Sequence, residues 1–272
     1  MLADAHIHLD DLLDRDPSFP ERLARISWIG CAASHDAAAY ARTEAMRARL
    51  AAGAAGSARA SFVASFGIHP QNVVWDHADF LAGLAMGGTI AAIGEAGFDF
   101  YGDRPERVRN PKNESAQRAL FEYQLELADR SGLPLLLHLR RAMDLAFAYA
   151  PRLKRLRGAV FHSYSGTADE IAALLGRGVR AYFSFGASVL NGNKRARVAC
   201  AAVPEDRLLS ETDAPWQPPR REGAPPPGGR FCVPEDLEPI VVGIAGIRGV
   251  AAARAAEVLE RNFRAAYGEQ PA

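Results

Sequence analysis

Apolar positions in this chain gather into short continuous runs rather than strict alternations. Eight such runs, at residues 2–8, 26–33, 61–69, 89–97, 134–139, 158–164, 180–186 and 207–213, have the length and content of strands. Continuous runs mark strands covered on both faces, as in a parallel sheet flanked by helices. Helical periodicity fills residues 36–52, 114–132 and 167–178, and returns at 250–268 before Gly268. Within the second of these, Leu120, Phe121, Leu125, Leu127 and Ala128 form one apolar stripe, and Gly132 stops it. Thr167 followed by Glu170 is a capping-box pattern at the head of the third. Strands alternating with helices in this way predict an α/β fold, a (β/α)8 TIM barrel over residues 1–272 as one domain. A doubly wound open sheet is the alternative. No G-x-G-x-x-G or G-K-[ST] loop follows any strand, so no nucleotide cofactor is expected.

Composition narrows the class. The chain carries 32 basic and 32 acidic residues, a balance that argues against coating nucleic acid by charge alone but permits a cleft that grips a few phosphates. Three isolated cysteines, Cys31, Cys200 and Cys232, read as free thiols of a reducing compartment. No run approaches the ~20 apolar residues of a membrane helix, and "MLADAHIHLD" lacks the layout of a signal peptide. A cytoplasmic protein without a membrane partner is expected.

The chemistry lies at the strand ends. His6 and His8 stand two apart on the first strand and therefore share a face. Of the seven histidines, His6, His8, His69, His138 and His162 fall at or just past the C-terminal end of an expected strand. Glu95 ends the fourth strand and Asp213 the eighth. In a barrel these ends converge on one mouth, so residues far apart in sequence meet. His6, His8, Glu95, His138, His162 and Asp213 exceed the three or four ligands of a single zinc and suit two divalent ions. Four imidazoles with two carboxylates favour zinc or manganese over magnesium, although substrate oxygens can bring magnesium into play.

In order along the chain, "DAHIHLD" (4–10), "GIHP" (67–70), "GEAGFDF" (94–100), "HLRRA" (138–142), "FHSYSG" (161–166) and "ETDAPW" (211–216) resemble the motifs of the TatD family of metal-dependent deoxyribonucleases. The resemblance implies an amidohydrolase-superfamily barrel. It implies one ion on His6, His8, Glu95 and Asp213, a second on Glu95, His138 and His162, and Glu95 as the bridge. It also implies hydrolysis of DNA, often by trimming single strands from the 3′ end, with removal of D-amino acids from tRNA linked to some members. One departure stands out. Where the family continues into a stretch resembling R-G-K-R-N-E-P, this chain has "PPPGGRFCVPEDL", in which Arg230 and Pro234 are the remnants. The substrate rim is therefore altered while the ligand set is intact.

Around that set, Asp213 is read as a ligand and as the base toward the attacking water, with Glu95 as the other catalytic residue. His69, Arg140 and Arg230 are candidates for contacting substrate phosphate, and Asp4, Asp99 and Glu211 for orienting ligands. His35 and His77, at apparent helix starts, are read as structural, and the basic runs 152–157 and 194–197 as solvated faces. The resulting expectation is a two-metal phosphodiester hydrolase acting on single-stranded DNA ends. Hydrolysis of another ester or amide bond, such as an aminoacyl linkage, is the rival reading, and metal binding without turnover a third. A lysine at position 95, available for carbamylation, would have favoured amide chemistry, and the residue there is glutamate.

Overall fold

A computed structural model describes residues 1–53, 59–102, 104, 107–220 and 229–268. Eight parallel strands, β1 (Leu2–Ile7), β2 (Trp28–Ser34), β3 (Ala60–Phe66), β4 (Ala92–Asp99), β5 (Leu135–Arg140), β6 (Ala159–Phe161), β7 (Ala181–Phe185) and β8 (Leu208–Ser210), lie side by side in chain order. Helices α1 (Leu9–Arg15), α2 (Phe19–Leu23), α3 (Ala37–Gly53), α4 (Ala78–Met86), α5 (Pro111–Ser131), α6 (Met143–Leu153), α7 (Ala168–Gly176) and α8 (Lys194–Ala202) fill the crossovers. α9 (Leu237–Arg248) and α10 (Ala252–Tyr267) follow the last strand. This is the expected (β/α)8 barrel.

The local signals act where they were read. All five residues of the α5 stripe are buried, Gly132 ends that helix at φ 69°, and Thr167 and Glu170 close their capping box on α7. α5 nevertheless begins three residues before the expected Glu114, because Asn110 caps it and Pro111 supplies its first turn. The sixth and eighth strands are shorter than expected. Ser163 (φ 46°) and Asp213 (φ 55°) leave the extended region and turn the chain into the mouth. All three cysteines are free and buried, and no single helix among the described residues is long and apolar enough to cross a membrane.

Two strands carry one extra residue. Asp4 pairs with Gly30 but Ile7 with Ala32, and Ile93 pairs with Leu135 but Ala96 with Leu137. Each bulge resets the alternation of side chains. Ala3 and Ala5 pack inside the barrel with Ile29, Cys31, Val63, Leu136, Val160 and Leu209, whereas Ile7 packs outside against the helices. His6 and His8 thus come to face inward. In β4, Ala92 faces in while Ile93, Ala96 and Phe98 face out, which turns Glu95 and Asp99 to the interior.

The seam between β8 and β1 is closed largely by side chains. Asp4 accepts from the Thr212 backbone N–H (2.9 Å) and hydroxyl (2.7 Å), and Ser210 Oγ donates to the Ala3 carbonyl (2.7 Å). The backbone N–H groups of Asp213 and His8 complete it, donating to the carbonyls of His6 and Ala214. At the opposite end α10 plugs the barrel with Phe263 and Tyr267, whose hydroxyl donates to the Ala5 carbonyl at 2.7 Å.

The plug makes a prediction. Phe263→Ala should cost about 3–5 kcal/mol. Tyr267→Phe, which leaves the buried Ala5 carbonyl without that donor, should cost about 1–3 kcal/mol. Urea denaturation midpoints measure both, and unchanged midpoints would show that α10 does not support the barrel.

Candidate metal centre

The six predicted donors meet at the C-terminal mouth. His6 Nε2 and His8 Nε2 are 3.0 Å apart, and each lies 3.4–3.5 Å from Asp213 Oδ1 and 3.5 Å from Glu95 Oε2. On the other side, Glu95 Oε1 lies 2.7 Å from His162 Nε2 and 2.9 Å from His138 Nδ1, and those two nitrogens are 3.0 Å apart. Bonds of about 2.0–2.1 Å put tetrahedral donors roughly 3.3–3.4 Å apart and neighbouring octahedral donors about 2.9–3.0 Å apart. The observed separations span that range. The donors fit metal coordination, with one oxygen of Glu95 in each cluster.

Glycine lets β4 bring Glu95 there. Gly94 (φ 151°) and Gly97 (φ 146°) lie so close to β5 that a Cβ would strike the carbonyls of Leu136 and His138. Small residues are needed here for strand approach.

The chemistry of the donor set is consistent with a cation site. Burial opposes ionisation of Glu95, but the His6 and His162 rings and hydrogen bonds from His138 and His162 outweigh it and hold the carboxyl well below its usual range. Burial likewise disfavours charge on His8, yet the hydrogen bond with Asp213 and the nearby carboxylates raise it to about 9. His162 is pushed up by Glu95 and Glu211 despite its burial, while His6 is pushed down by burial and by His162. A cation entering here displaces protons from imidazoles that the carboxylates otherwise keep charged.

The TatD related DNase family model matches residues 3–268. The chain belongs to this family. It is 36% identical over 188 residues to the 3′-5′ ssDNA/RNA exonuclease TatD of Enterobacter lignolyticus, covering 68% of each chain. With the protein of the same name from Pantoea vagans it shares 34% over 205 residues, covering 74% of this chain and 76% of the relative. In fold it is similar to the crystal structure of YJJV, a TatD homolog from Escherichia coli K12 (TM-score 0.76, 24% identity, covering 99% of this chain and 98% of the other). A TatD family hydrolase from Entamoeba histolytica is similar too (TM-score 0.77, 16% identity, covering 98% and 97%).

In this TatD-family barrel the surrounding residues divide by what they touch. Asp99 accepts from His138 Nε2 at 2.8 Å and so turns Nδ1 toward Glu95. Glu211 accepts from the Ser163 backbone N–H (2.7 Å) and lies 3.9 Å from His162 Nδ1. Asp4 bonds Thr212 and, at 3.4 Å, the His6 backbone N–H. It braces the seam rather than an imidazole, because the β1 bulge separates its side chain from the ring of His6. His69 lines the mouth, and its Nδ1 accepts the Gln71 N–H (3.1 Å), which leaves Nε2 as a donor. Arg140 also lines the mouth, over the ring of Tyr101 (4.0 Å). Arg230 is half-buried and is not among the residues lining the mouth; of the divergent stretch 225–237, residues 225–228 lie outside those described.

His35 departs from the structural role expected of it. It is the first residue past β2, and its Nε2 reaches Glu95 Oε2 at 3.0 Å. The expected strand stops one residue short of Ser34, which hid a strand-end histidine of the same kind as the others. His77 precedes α4 and does not line the mouth, nor do the basic runs 152–157 and 194–197.

Buried amides were missed altogether. Gln117 and Gln124, one face of α5, each hold a backbone segment by two hydrogen bonds: Gln117 the N–H and carbonyl of Asp99, Gln124 those of Ile68, beside His69. Gln71 donates to Asp99 (2.8 Å) and Gln217 to Asp213. Polar residues spaced seven apart on an apolar helix face were the available signal. Asp99→Ala should lower zinc affinity about 10–100-fold, measured by competition with a chromophoric chelator; an unchanged affinity would show that Asp99 does not orient His138.

Proposed function

We propose that this chain hydrolyses phosphodiester bonds of single-stranded DNA, removing nucleotides from the 3′ end with two divalent ions. The observation that carries the reading is the division of Glu95, whose two oxygens each serve a different donor cluster. Two ions on these clusters, zinc or manganese by the imidazole content, would lower the pKa of a water and neutralise charge on the phosphoryl oxygens. Asp213 takes the proton of the attacking water in this reading; hydrogen bonding with His8 keeps it below the usual carboxylate range despite burial, and Gln217 fixes its orientation. His69, through Nε2–H, and Arg140, through its guanidinium, hold the phosphate.

The rim supports a nucleic-acid substrate. A mouth of about 720 Å³ is lined by Arg107, Arg140 and the exposed Trp216. Trp216 carries Arg15 over its ring at 5.1 Å, and the exposed Tyr101 lies beneath Arg140 and Arg141. Aromatic rings beside guanidinium groups receive unstacked bases of single strands with little regard to sequence. The relatives named as ssDNA/RNA exonucleases support the same polarity and substrate class.

A time course on single-stranded DNA and RNA labelled at either end tests this. Stepwise loss from the 3′ end is expected, reduced at least about 10²–10³-fold in Glu95→Ala. Equal inertness of wild type and variant would sink the nuclease. Trp216→Ala should raise KM for an oligonucleotide by the loss of about 1–3 kcal/mol of stacking, with kcat nearly unchanged; a fall in kcat alone would place Trp216 outside base recognition.

A further inference from the structure

The ring of His35 has the arrangement of a metal ligand. Its Nδ1 lies 3.3 Å from the Gly67 carbonyl oxygen, which only accepts, so Nδ1 carries hydrogen. In the neutral ring Nε2 then has the lone pair, and it lies 3.0 Å from Glu95 Oε2, the oxygen shared with His6 and His8. Two lone pairs at that distance need a cation or a proton between them. One ring nitrogen donating to a backbone carbonyl while the other is turned to the donor cluster is how ligating histidines are held. His69, with ring centroid 5.3 Å away, is arranged the other way round and has a hydrogen where His35 has a lone pair.

We propose that His35 Nε2 is a further ligand of the ion on His6, His8, Asp213 and Glu95 Oε2, giving that ion three imidazoles and two carboxylates. His35 also groups with His8 and Glu95 alone. His8 Nε2 has a single lone pair and faces His6 Nε2 at 3.0 Å, so it cannot serve both that cluster and a separate ion. The consequence is asymmetry. The ion on the His35 side has more protein donors and more nitrogen, so it is held tighter and selects zinc or cobalt over magnesium. The ion on the His138 and His162 side keeps the open positions. The inference rests on the two-ion reading above only for the first donor cluster.

Cobalt(II) is the probe, because its visible absorption strengthens as coordination falls from five donors to four. Metal-free wild type, His35→Ala and His35→Gln are titrated with it against a chromophoric chelator, and thermal midpoints establish that each is folded. The tighter site of both variants should weaken at least about tenfold, with a stronger band per bound ion. Wild-type affinity and band in His35→Gln and His35→Ala would make His35 only a hydrogen-bonding neighbour of Glu95 and overturn the assignment. Should the variants not fold, wild-type crystals soaked in cobalt(II) decide. An anomalous peak about 2.1 Å from His35 Nε2 supports the ligand, and one beyond about 3 Å overturns it. The two readings fail separately. A chain that binds one ion and still responds to His35→Ala loses the second ion and keeps the ligand. A chain that binds two ions and ignores the substitution does the reverse.

Discussion

The centre of this molecule is a buried carboxylate that must satisfy two sets of imidazoles at once. Glu95 is 2% exposed and faces His6, His8 and His35 with one oxygen and His138 and His162 with the other. An isolated carboxylate could not remain ionised so deep in a barrel. The surrounding rings make its charge sustainable, and they in turn are kept in register because each sits at a strand end. Removing the carboxylate would therefore unbalance both halves of the mouth together.

The scaffold accommodates this demand with local irregularity. Bulges in β1 and β4 turn His6, His8 and Glu95 inward from strands whose earlier residues follow the opposite alternation. Glycines at 94 and 97 allow β4 to press against β5. Among the described residues, the non-glycine positions with positive φ are Arg141, Ser163, Asp213 and Gln217, in the segments that follow the C-terminal ends of β5, β6 and β8. Departures from ideal backbone geometry gather where the chemistry is, and the regular part of the barrel, with its plug of Phe263 and Tyr267, holds them in place.

Formal neutrality of the whole chain conceals a mouth of mixed character. Carboxylates and imidazoles fill its floor, while arginines and exposed aromatic rings stand on the rim. The floor suits cations, and the rim suits a polyanion with flat bases. A net charge summed over 272 residues cannot show that separation, because it averages over the surface on which the two kinds of group are sorted.

Periodicity and motif order determined the barrel, the helix α5 with its glycine stop, α7 with its capping box, and the strand-end placement of the six donors, because each is a local property of hydrophobic pattern and position. Tertiary structure decided the rest. The bulges arise from pairing with a neighbouring strand, so the reset they impose on side-chain alternation appears only once the strands are paired. Gln117 and Gln124 read as ordinary polar positions of a helix until the helix docks and their amides find the backbone at Asp99 and Ile68. Asp4 changed from a neighbour of an imidazole to a clasp on Thr212, 208 residues away in sequence. His35 lay one residue outside its expected strand, and in a structure whose donors gather at strand ends, one residue separates a helix start from the reach of Glu95. Local sequence specifies which side chains exist and roughly where each element stops; only the closed barrel brings ends that are distant along the chain to within the reach of a single carboxylate.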